Sequence, residues 1–358
     1  MATFTNIALF AVALFAALYV FSRLFLRGRS LTAHDTPIPV TFESAEPSDA
    51  ANGVTDYLLE RMKVVETLSQ TRDRFNEMGL AREFECTFIS ASAEHGGLSV
   101  PGEWTITEGA DPKKRLLYIH GGAFMLGSPV SHRPIIANIA KRTGCVVFAP
   151  DYRLMPENRR KAGIMDSRAA YQWILENGPD GPSVAGKISV AGDSAGGNLA
   201  LCLVNWLRDN GLRMPDAVVA LSPATDSTAS GPSIRANLET DHMLRRLVAP
   251  MLKVPHWLLM WIMWATNRIR PSSKLISPLH DNLGGLPPTL IHASTAEILY
   301  DDAKRYTNKA QAQGSPVTLQ SWAHLCHVWQ MFDESLPEAN HAFDEISTFM
   351  RVHGVTKE

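Results

Sequence analysis

The sequence Gly192-Asp193-Ser194-Ala195-Gly196 lies between a short apolar run at 188–191 and a helical pattern at 196–209. A serine on a sharp, strained strand-to-helix turn requires very small residues two positions away on either side. Such a turn exposes the hydroxyl at the top of a sheet, with the positive end of the following helix beneath it. The segment therefore predicts a strand-turn-helix unit and makes Ser194 the first candidate nucleophile.

Short apolar runs and helical patterns alternate on both sides of this turn. Two runs near the start of the alternation, 84–89 and 103–107, have the period of a hairpin. The runs that follow lie at 115–119, 145–149, 217–221, 289–293 and 317–321, and most are separated by helical stretches. This order predicts an α/β fold, with a mostly parallel central sheet flanked by helices. Functional residues are then expected at the carboxyl ends of the strands.

A second glycine-rich segment, His120-Gly121-Gly122-Ala123-Phe124, follows the apolar run at 115–119. Paired glycines let backbone N–H groups approach a substrate oxygen without obstruction by a Cβ atom. We expect the N–H groups of Gly121, Gly122 and Ala195 to form an oxyanion hole. An ordinary glycine-rich turn is the alternative interpretation, and His120 itself is interpreted as structural.

A serine hydroxyl needs a base to accept its proton, and the base needs a carboxylate to orient it. After a nucleophile on this kind of turn, the acid precedes the histidine along the chain. His327 comes directly after the last predicted strand and is the first candidate for the base, with His324 as the second.

The acid is expected just after the run at 289–293, where Glu297 is the favoured candidate. Asp301 and Asp302 follow, but they stand where a helix would begin, so they also fit a capping role. Asp226, after the preceding predicted strand, is a weaker candidate.

The first 27 residues contain a long apolar stretch, Phe4 to Leu26, interrupted at Ser22 and Arg23. At ~1.5 Å per residue this stretch could span a hydrocarbon core of ~30 Å. No basic residue precedes it and no clean cleavage site follows it, which disfavours a signal peptide. Because Arg23, Arg27 and Arg29 lie on its C-terminal side, we expect a membrane anchor with the remaining chain on the cytoplasmic face. An interfacial helix is the alternative.

Residues 28–80 are interpreted as a tether followed by a helical arm that covers the site. The helical pattern runs from Val54 to Leu80 and includes Val65. Residues 81–358 form the predicted catalytic domain, with a cap insertion at about 227–275. Within it, the apolar run Leu258–Trp264 is too short to span a bilayer. It is expected to be a cap helix packed on the core, with an acyl-binding wall or a membrane-dipping face as further possibilities.

Composition excludes other classes of function. The formal net charge of −2 gives no electrostatic basis for binding nucleic acid. The four cysteines have no C-x-x-C spacing, so neither a metal site nor a disulfide framework is expected, and buried thiols are the simpler interpretation.

The motifs together resemble the hormone-sensitive-lipase-like esterases (bacterial family IV), which include the arylacetamide deacetylases. The resemblance covers about residues 84–350. It is carried by HGGAF at 120–124, DYRLMPE at 151–157, GDSAGG at 192–197, SPATD at 222–226, SPL at 277–279, AEILYDD at 296–302 and the His327 segment.

This resemblance implies an α/β-hydrolase fold with a helical cap, no cofactor, and a serine carboxylic ester hydrolase acting on small to medium lipophilic esters. It implies Ser194, Glu297 and His327 as the triad and Gly121, Gly122 and Ala195 as oxyanion donors. Many family members have Asp as the acid, and Ala123 stands where the family's third glycine would be. An arylamide deacetylase and a non-catalytic ligand receptor are the alternative functions.

Overall fold

A computed structural model describes residues 2–64 and 66–356, so Met1, Val65, Lys357 and Glu358 lie outside the described residues. Its centre is an eight-stranded sheet. The strands are β1 Thr87–His95, β2 Leu98–Ile106, β3 Asp111–Ile119, β4 Cys145–Pro150, β5 Lys187–Asp193, β6 Ala217–Leu221, β7 Thr289–Ser294 and β8 Val317–Trp322.

The spatial order of the strands is β1-β2-β4-β3-β5-β6-β7-β8. β2 pairs antiparallel with both β1 and β4, whereas all pairs from β4 to β8 are parallel. The expected α/β class with a mostly parallel sheet is therefore confirmed. The central strands β4 and β6 are buried along their whole length, which explains why their sequences are continuous apolar runs.

The helices are α1 Ala2–Phe21, α2 Asp49–Met62, α3 Leu68–Leu80, α4 Arg133–Thr143, α5 Arg160–Glu176, α6 Ser194–Asp209, α7 Ser233–Ala236, α8 Arg245–Leu252, α9 His256–Asn267, α10 Tyr300–Ala312 and α11 Pro337–Val352. The helices that cover the two faces of the sheet are α4, α5, α6, α10 and α11. Alternate residues of β3 separate the two cores. Leu117 packs toward α5 and α6, and Leu116 packs toward α4 and α11.

The helical pattern expected from Val54 to Leu80 is two helices rather than one. The chain leaves α2 at Met62 and starts α3 after Thr67. The Thr67 hydroxyl accepts a hydrogen bond from the Gln70 N–H, and the Gln70 side chain accepts one from the Thr67 N–H. This capping box gives hydrogen-bond partners to N–H groups that would otherwise be free at the start of a helix. The sequence therefore specifies the break between α2 and α3.

The segment between α1 and α2, expected to be a tether, lies along the catalytic domain. Phe42 forms a bridge with Trp322 at the edge of β8, and their rings stack with centroids 4.3 Å apart. Asp35 pairs with the buried Arg305 of α10. The division of the chain at residues 27 and 80 stays a prediction.

The chain contains one described helical stretch, Phe4–Leu26, that is long and apolar enough to cross a membrane. α1 forms most of it, and a π-helical turn, Ser22–Leu26, completes it. Side chains near its start are exposed, with 81% of Phe4 and 71% of Phe10 accessible. Its last turns contact α9 instead.

The apolar run Leu258–Trp264 lies in α9, which packs against α1. Trp261 stacks on Phe21 with ring centroids 5.2 Å apart, and its indole N–H donates to the Leu18 carbonyl at 3.2 Å. The buried Ser22 hydroxyl donates to the Trp257 carbonyl at 2.9 Å. The expectation that this run packs on the main core is therefore wrong, because its apolar partner is the first helix and not the sheet.

Candidate active site

The turn from β5 to α6 places Ser194 at the carboxyl end of the central strand. Ser194 has a φ of 51°, in the left-handed region that L-residues rarely adopt. A Cβ at Gly196 would collide with the Ile119 carbonyl oxygen, and one at Gly192 would lie 2.7 Å from the same atom. Both flanking positions thus require glycine because the turn lies directly against β3.

A chain of two hydrogen bonds connects Ser194 with His327 and Glu297. The Nε2 atom of His327 is 2.9 Å from the Ser194 Oγ, and its Nδ1 atom is 2.7 Å from the Glu297 Oε2. The other carboxylate oxygen of Glu297 accepts a hydrogen bond from the Ser294 N–H at 2.8 Å. Glu297 is completely buried, whereas Ser194 remains partly accessible.

The electrostatics of these hydrogen-bonded residues favour a basic imidazole at His327. Burial alone would lower the pKa of His327, but the hydrogen bond and the negative charge of Glu297 outweigh it and raise that pKa above its usual value. Burial raises the pKa of Glu297, and the bond from His327 opposes this increase. With Nδ1–H directed at Glu297, the Nε2 lone pair is free to accept the serine proton.

The other acidic candidates are engaged elsewhere. Asp226 is buried, and its Oδ1 lies 3.2 Å from the Nε2 atom of His280. Asp301 accepts a hydrogen bond from the Ser233 N–H at 2.6 Å, and Asp302 accepts one from the Asp226 N–H at 2.8 Å. The two residues therefore tie the loop after β6 to α10 instead of facing His327.

His324, the second candidate for the base, also lies away from the serine. Its Nε2 atom donates to the Ser44 carbonyl at 3.0 Å. His120 is fully buried and stacks on Tyr152 with ring centroids 4.3 Å apart. Burial lowers the pKa of His120 to about 3, so its imidazole is neutral and packs as a structural ring.

The glycine loop departs from expectation at one residue. The Gly121 N–H donates to the Asp193 Oδ1 at 3.0 Å and lies 3.3 Å from the His132 Nε2. It is not available to a substrate, and the expectation that Gly121 is an oxyanion donor is wrong. Gly122 and Ala123 line the cavity at Ser194, and their N–H groups have no hydrogen-bond partner among residues 2–64 and 66–356.

Asp193 was missed by sequence reasoning although it stands beside the serine. Its buried carboxylate accepts hydrogen bonds from the Tyr118 hydroxyl at 2.7 Å and from the Gly121 N–H. Burial alone would raise the pKa of Asp193, but His132 and the hydroxyl of Tyr118 reverse this, and that pKa lies below its usual value. A charged residue at the end of the apolar strand 188–192 was the available signal, because a buried carboxylate requires partners.

A cavity of 490 Å³ opens over Ser194 and His327. Its walls come from the glycine loop, from α2 and α3, and from the chain entering α8. The apolar side chains that line it include Leu58, Phe75, Met78, Met125, Met243 and Leu247. No residue of α9 lines this cavity in the described part of the chain, so α9 is not an acyl-binding wall.

Comparison with known proteins identifies the family. Residues 116–331 match a family model described as the alpha/beta hydrolase fold. An acetyl-hydrolase of Streptomyces hygroscopicus is 36% identical over 243 residues, which are 66% of this chain and 75% of the relative. An esterase of Acinetobacter venetianus is 35% identical over 240 residues, or 67% of this chain and 75% of the relative.

A solved structure of an esterase from the bacterial hormone-sensitive lipase family superimposes with a TM-score of 0.74. It is 33% identical and covers 86% of this chain and 99% of its own. The chain belongs to the hormone-sensitive-lipase-like esterases. The esterase is accordingly a carboxylic ester hydrolase, and the similar proteins give no support to the arylamide deacetylase or receptor alternatives.

Proposed function

We propose that Ser194 is the nucleophile of this esterase, His327 its general base and Glu297 the residue that orients the imidazole. The observation that carries the proposal is the pair of hydrogen bonds from His327 to the Ser194 Oγ and the Glu297 carboxylate. His327 removes the serine proton as Oγ attacks the ester carbonyl. It then returns that proton to the departing alcohol, and water hydrolyses the acyl-enzyme by the same route.

The tetrahedral intermediate carries a negative oxygen that needs N–H donors. We propose the N–H groups of Gly122 and Ala195, with that of Ala123 in the place first expected for Gly121. Gly122, Ala123 and Phe124 have φ values of 106°, 53° and 64°. The strained backbone of Ala123, which lines the cavity, and of its neighbour Phe124 is typical of pre-organised sites.

Ser194→Ala is the direct test of the nucleophile. We expect kcat for p-nitrophenyl butyrate to fall at least about 10⁴-fold, because no hydroxyl remains to form the acyl-enzyme. A fluorophosphonate probe should label the wild-type chain and not the variant. Ser92→Ala, at an exposed residue of β1, is the matched control and should keep wild-type rates. Substantial turnover by Ser194→Ala would refute the assignment.

For the substrate we propose small to medium lipophilic esters. The apolar walls and the 490 Å³ volume of the cavity at Ser194 support this class. A series of p-nitrophenyl esters of increasing chain length should show kcat/KM rising to an optimum and then falling. A preference for charged or strongly polar acyl groups would contradict the proposal.

We further propose that the stretch Phe4–Leu26 anchors the esterase in a membrane, with the catalytic domain on the cytoplasmic face. The exposed apolar side chains of α1 support insertion, and the arginines 23, 27 and 29 at its C-terminal end support this orientation. Protease protection of intact cells and mass spectrometry of the mature N-terminus test both points. A cleaved, exported protein would overturn the proposal.

A further inference from the structure

A second cavity, also of 490 Å³, lies between the end of the N-terminal helix and the cap. It is separate from the cavity at Ser194, with which it shares no lining residue. We call it the anchor pocket. The polar side chains that line it are Tyr19, Arg23, Arg27, Ser230, Arg235 and His256.

The anchor pocket is strongly basic. Three arginines line it, and no Asp or Glu does so among the described residues. Among the described residues, the side chain of Arg23 has only the Tyr19 hydroxyl, at 3.5 Å, as a hydrogen-bond partner. The side chains of Arg27 and Arg235 form no ion pair or hydrogen bond with any residue in 2–64 or 66–356. Arg23 and Arg235 are exposed and Arg27 is half-buried. Guanidinium groups that line one cavity without an acidic partner favour an anionic ligand, above all one with phosphate geometry.

His256 lines the anchor pocket together with these arginines. Its Nε2–H donates to the Thr228 carbonyl at 2.8 Å. Burial lowers the pKa of His256 and the charges of Arg27 and Arg23 lower it further, which together outweigh the opposing hydrogen bond to Thr228 and the charge of Asp226. The charges of Arg27 and Arg23 therefore reach a half-buried side chain of the pocket.

The other side of the anchor pocket is apolar and adjoins α1. Met251, Trp257 and Leu259 line it, and the Trp257 ring packs edge-on against Phe15 of α1 with centroids 5.0 Å apart. Tryptophan is enriched at the level of lipid head groups. Since Arg23 and Arg27 flank the end of the apolar stretch, the pocket lies where the head groups of the surrounding leaflet would be.

We propose that the anchor pocket binds the phosphate head group of an anionic phospholipid, with an acyl chain lying along Trp257 and α1. This inference depends on the membrane attachment proposed above. A free phosphate ion would use the arginines but leave the apolar wall uncovered, so the two-sided lining favours a lipid.

The test uses the full chain in dodecyl maltoside micelles and native mass spectrometry to count bound lipid. Dioleoylphosphatidylglycerol is titrated against dioleoylphosphatidylcholine. We expect wild-type protein to retain one phosphatidylglycerol selectively, and the double variant Arg27→Gln, Arg235→Gln to bind it about tenfold more weakly. Hydrolysis of p-nitrophenyl butyrate should be unchanged, because neither arginine lines the cavity at Ser194.

The matched control is Arg29→Gln, Lys253→Gln, which removes the same charge from two exposed residues that do not line the pocket. Selective weakening in the pocket variant alone supports the proposal. Equal weakening in both variants, no preference for phosphatidylglycerol, or its displacement by equimolar inorganic phosphate would overturn it. Flotation with phosphatidylcholine vesicles tests the anchor separately, because that lipid has no net charge.

Discussion

At the residue scale, the Asp193 carboxylate connects the serine turn to the glycine loop. It accepts hydrogen bonds from Tyr118 on β3 and from Gly121 at the start of the loop. A side chain at Gly121 would collide with this carboxylate, so the two segments are in direct contact. We therefore propose Asp193 as a positioning residue that fixes where the next N–H groups, those of Gly122 and Ala123, would meet the substrate.

Asp193→Asn should lower kcat about 10-fold to 100-fold with little change in KM, because the donors shift relative to the oxyanion and not to the bound ester. Tyr118→Phe should have a smaller effect, since the bond from Gly121 to Asp193 remains. Steady-state kinetics on p-nitrophenyl butyrate separates kcat from KM, and thermal unfolding monitors stability. A rise in KM at constant kcat would argue against a positioning role.

Glu297 is expected to set the pH dependence of the reaction. The proposed general base, His327, accepts a proton only when its imidazole is neutral, so we expect activity to be lost as pH falls through the pKa of that imidazole. Because Glu297 raises this pKa, the acidic limb of kcat/KM should lie above the ordinary value of ~6.5. Glu297→Gln removes the negative charge, so the limb should move to lower pH while kcat falls by up to about 10⁴-fold.

The comparison of pH profiles also gives the control. Glu345→Gln changes a carboxylate near His341 on α11, away from Ser194, and should leave the limb in place. An acidic limb that does not move in Glu297→Gln would show that another group sets the pKa of His327.

At the element scale, α2 and α3 form one wall of the substrate cavity, and the capping box at Thr67 fixes where α3 begins. Phe75 and Met78 reach the cavity from α3, and Leu58 reaches it from α2. A short break between two capped helices places both sets of side chains over Ser194. The identity of the N-cap residue, Thr67, is thus expected to affect how a substrate fits the cavity and not only the stability of α3.

Thr67→Ala should destabilise the start of α3 by about 1 kcal/mol, because a helical N–H loses its partner. We expect KM to rise for longer-chain esters, which depend on Phe75 and Met78, while kcat for an acetyl ester stays near wild type. Kinetics over a series of chain lengths measures this. Thr67→Ser keeps the hydroxyl and should restore wild-type KM; failure to do so would rule out the capping explanation.

Sequence patterns predicted the strands well because buried parallel strands are continuous apolar runs, as at 145–149 and 217–221. They failed between α2 and α3, where apolar spacing continues on both sides of the break. They also failed at Gly121, because adjacent glycines look equivalent until the loop directs one N–H toward Asp193. The packing of α9 on α1 could not be predicted from the sequence, because an almost uniformly apolar helix has no polar face to indicate its orientation.

At the scale of the whole molecule, the esterase connects two apolar regions, which are the cavity at Ser194 and the contact between α1 and α9. The cavity at Ser194 lies between the sheet and the helices α2, α3 and α8. The chain continues from α8 into α9, which packs on α1. One segment of chain, 242–267, thus contacts both the substrate cavity and the N-terminal helix.

A shorter chain that begins after Leu26 would lack α1 and leave the α9 indole rings of Trp257, Trp261 and Trp264 facing solvent. We expect it to self-associate, which size-exclusion chromatography with light scattering would detect, whereas Trp261→Gln and Trp264→Gln in the same short chain should restore monomers. A monodisperse short chain would contradict this. Removing an apolar N-terminal helix is a routine step in preparing soluble protein. Here it would only exchange the exposed apolar surface of α1 for that of α9.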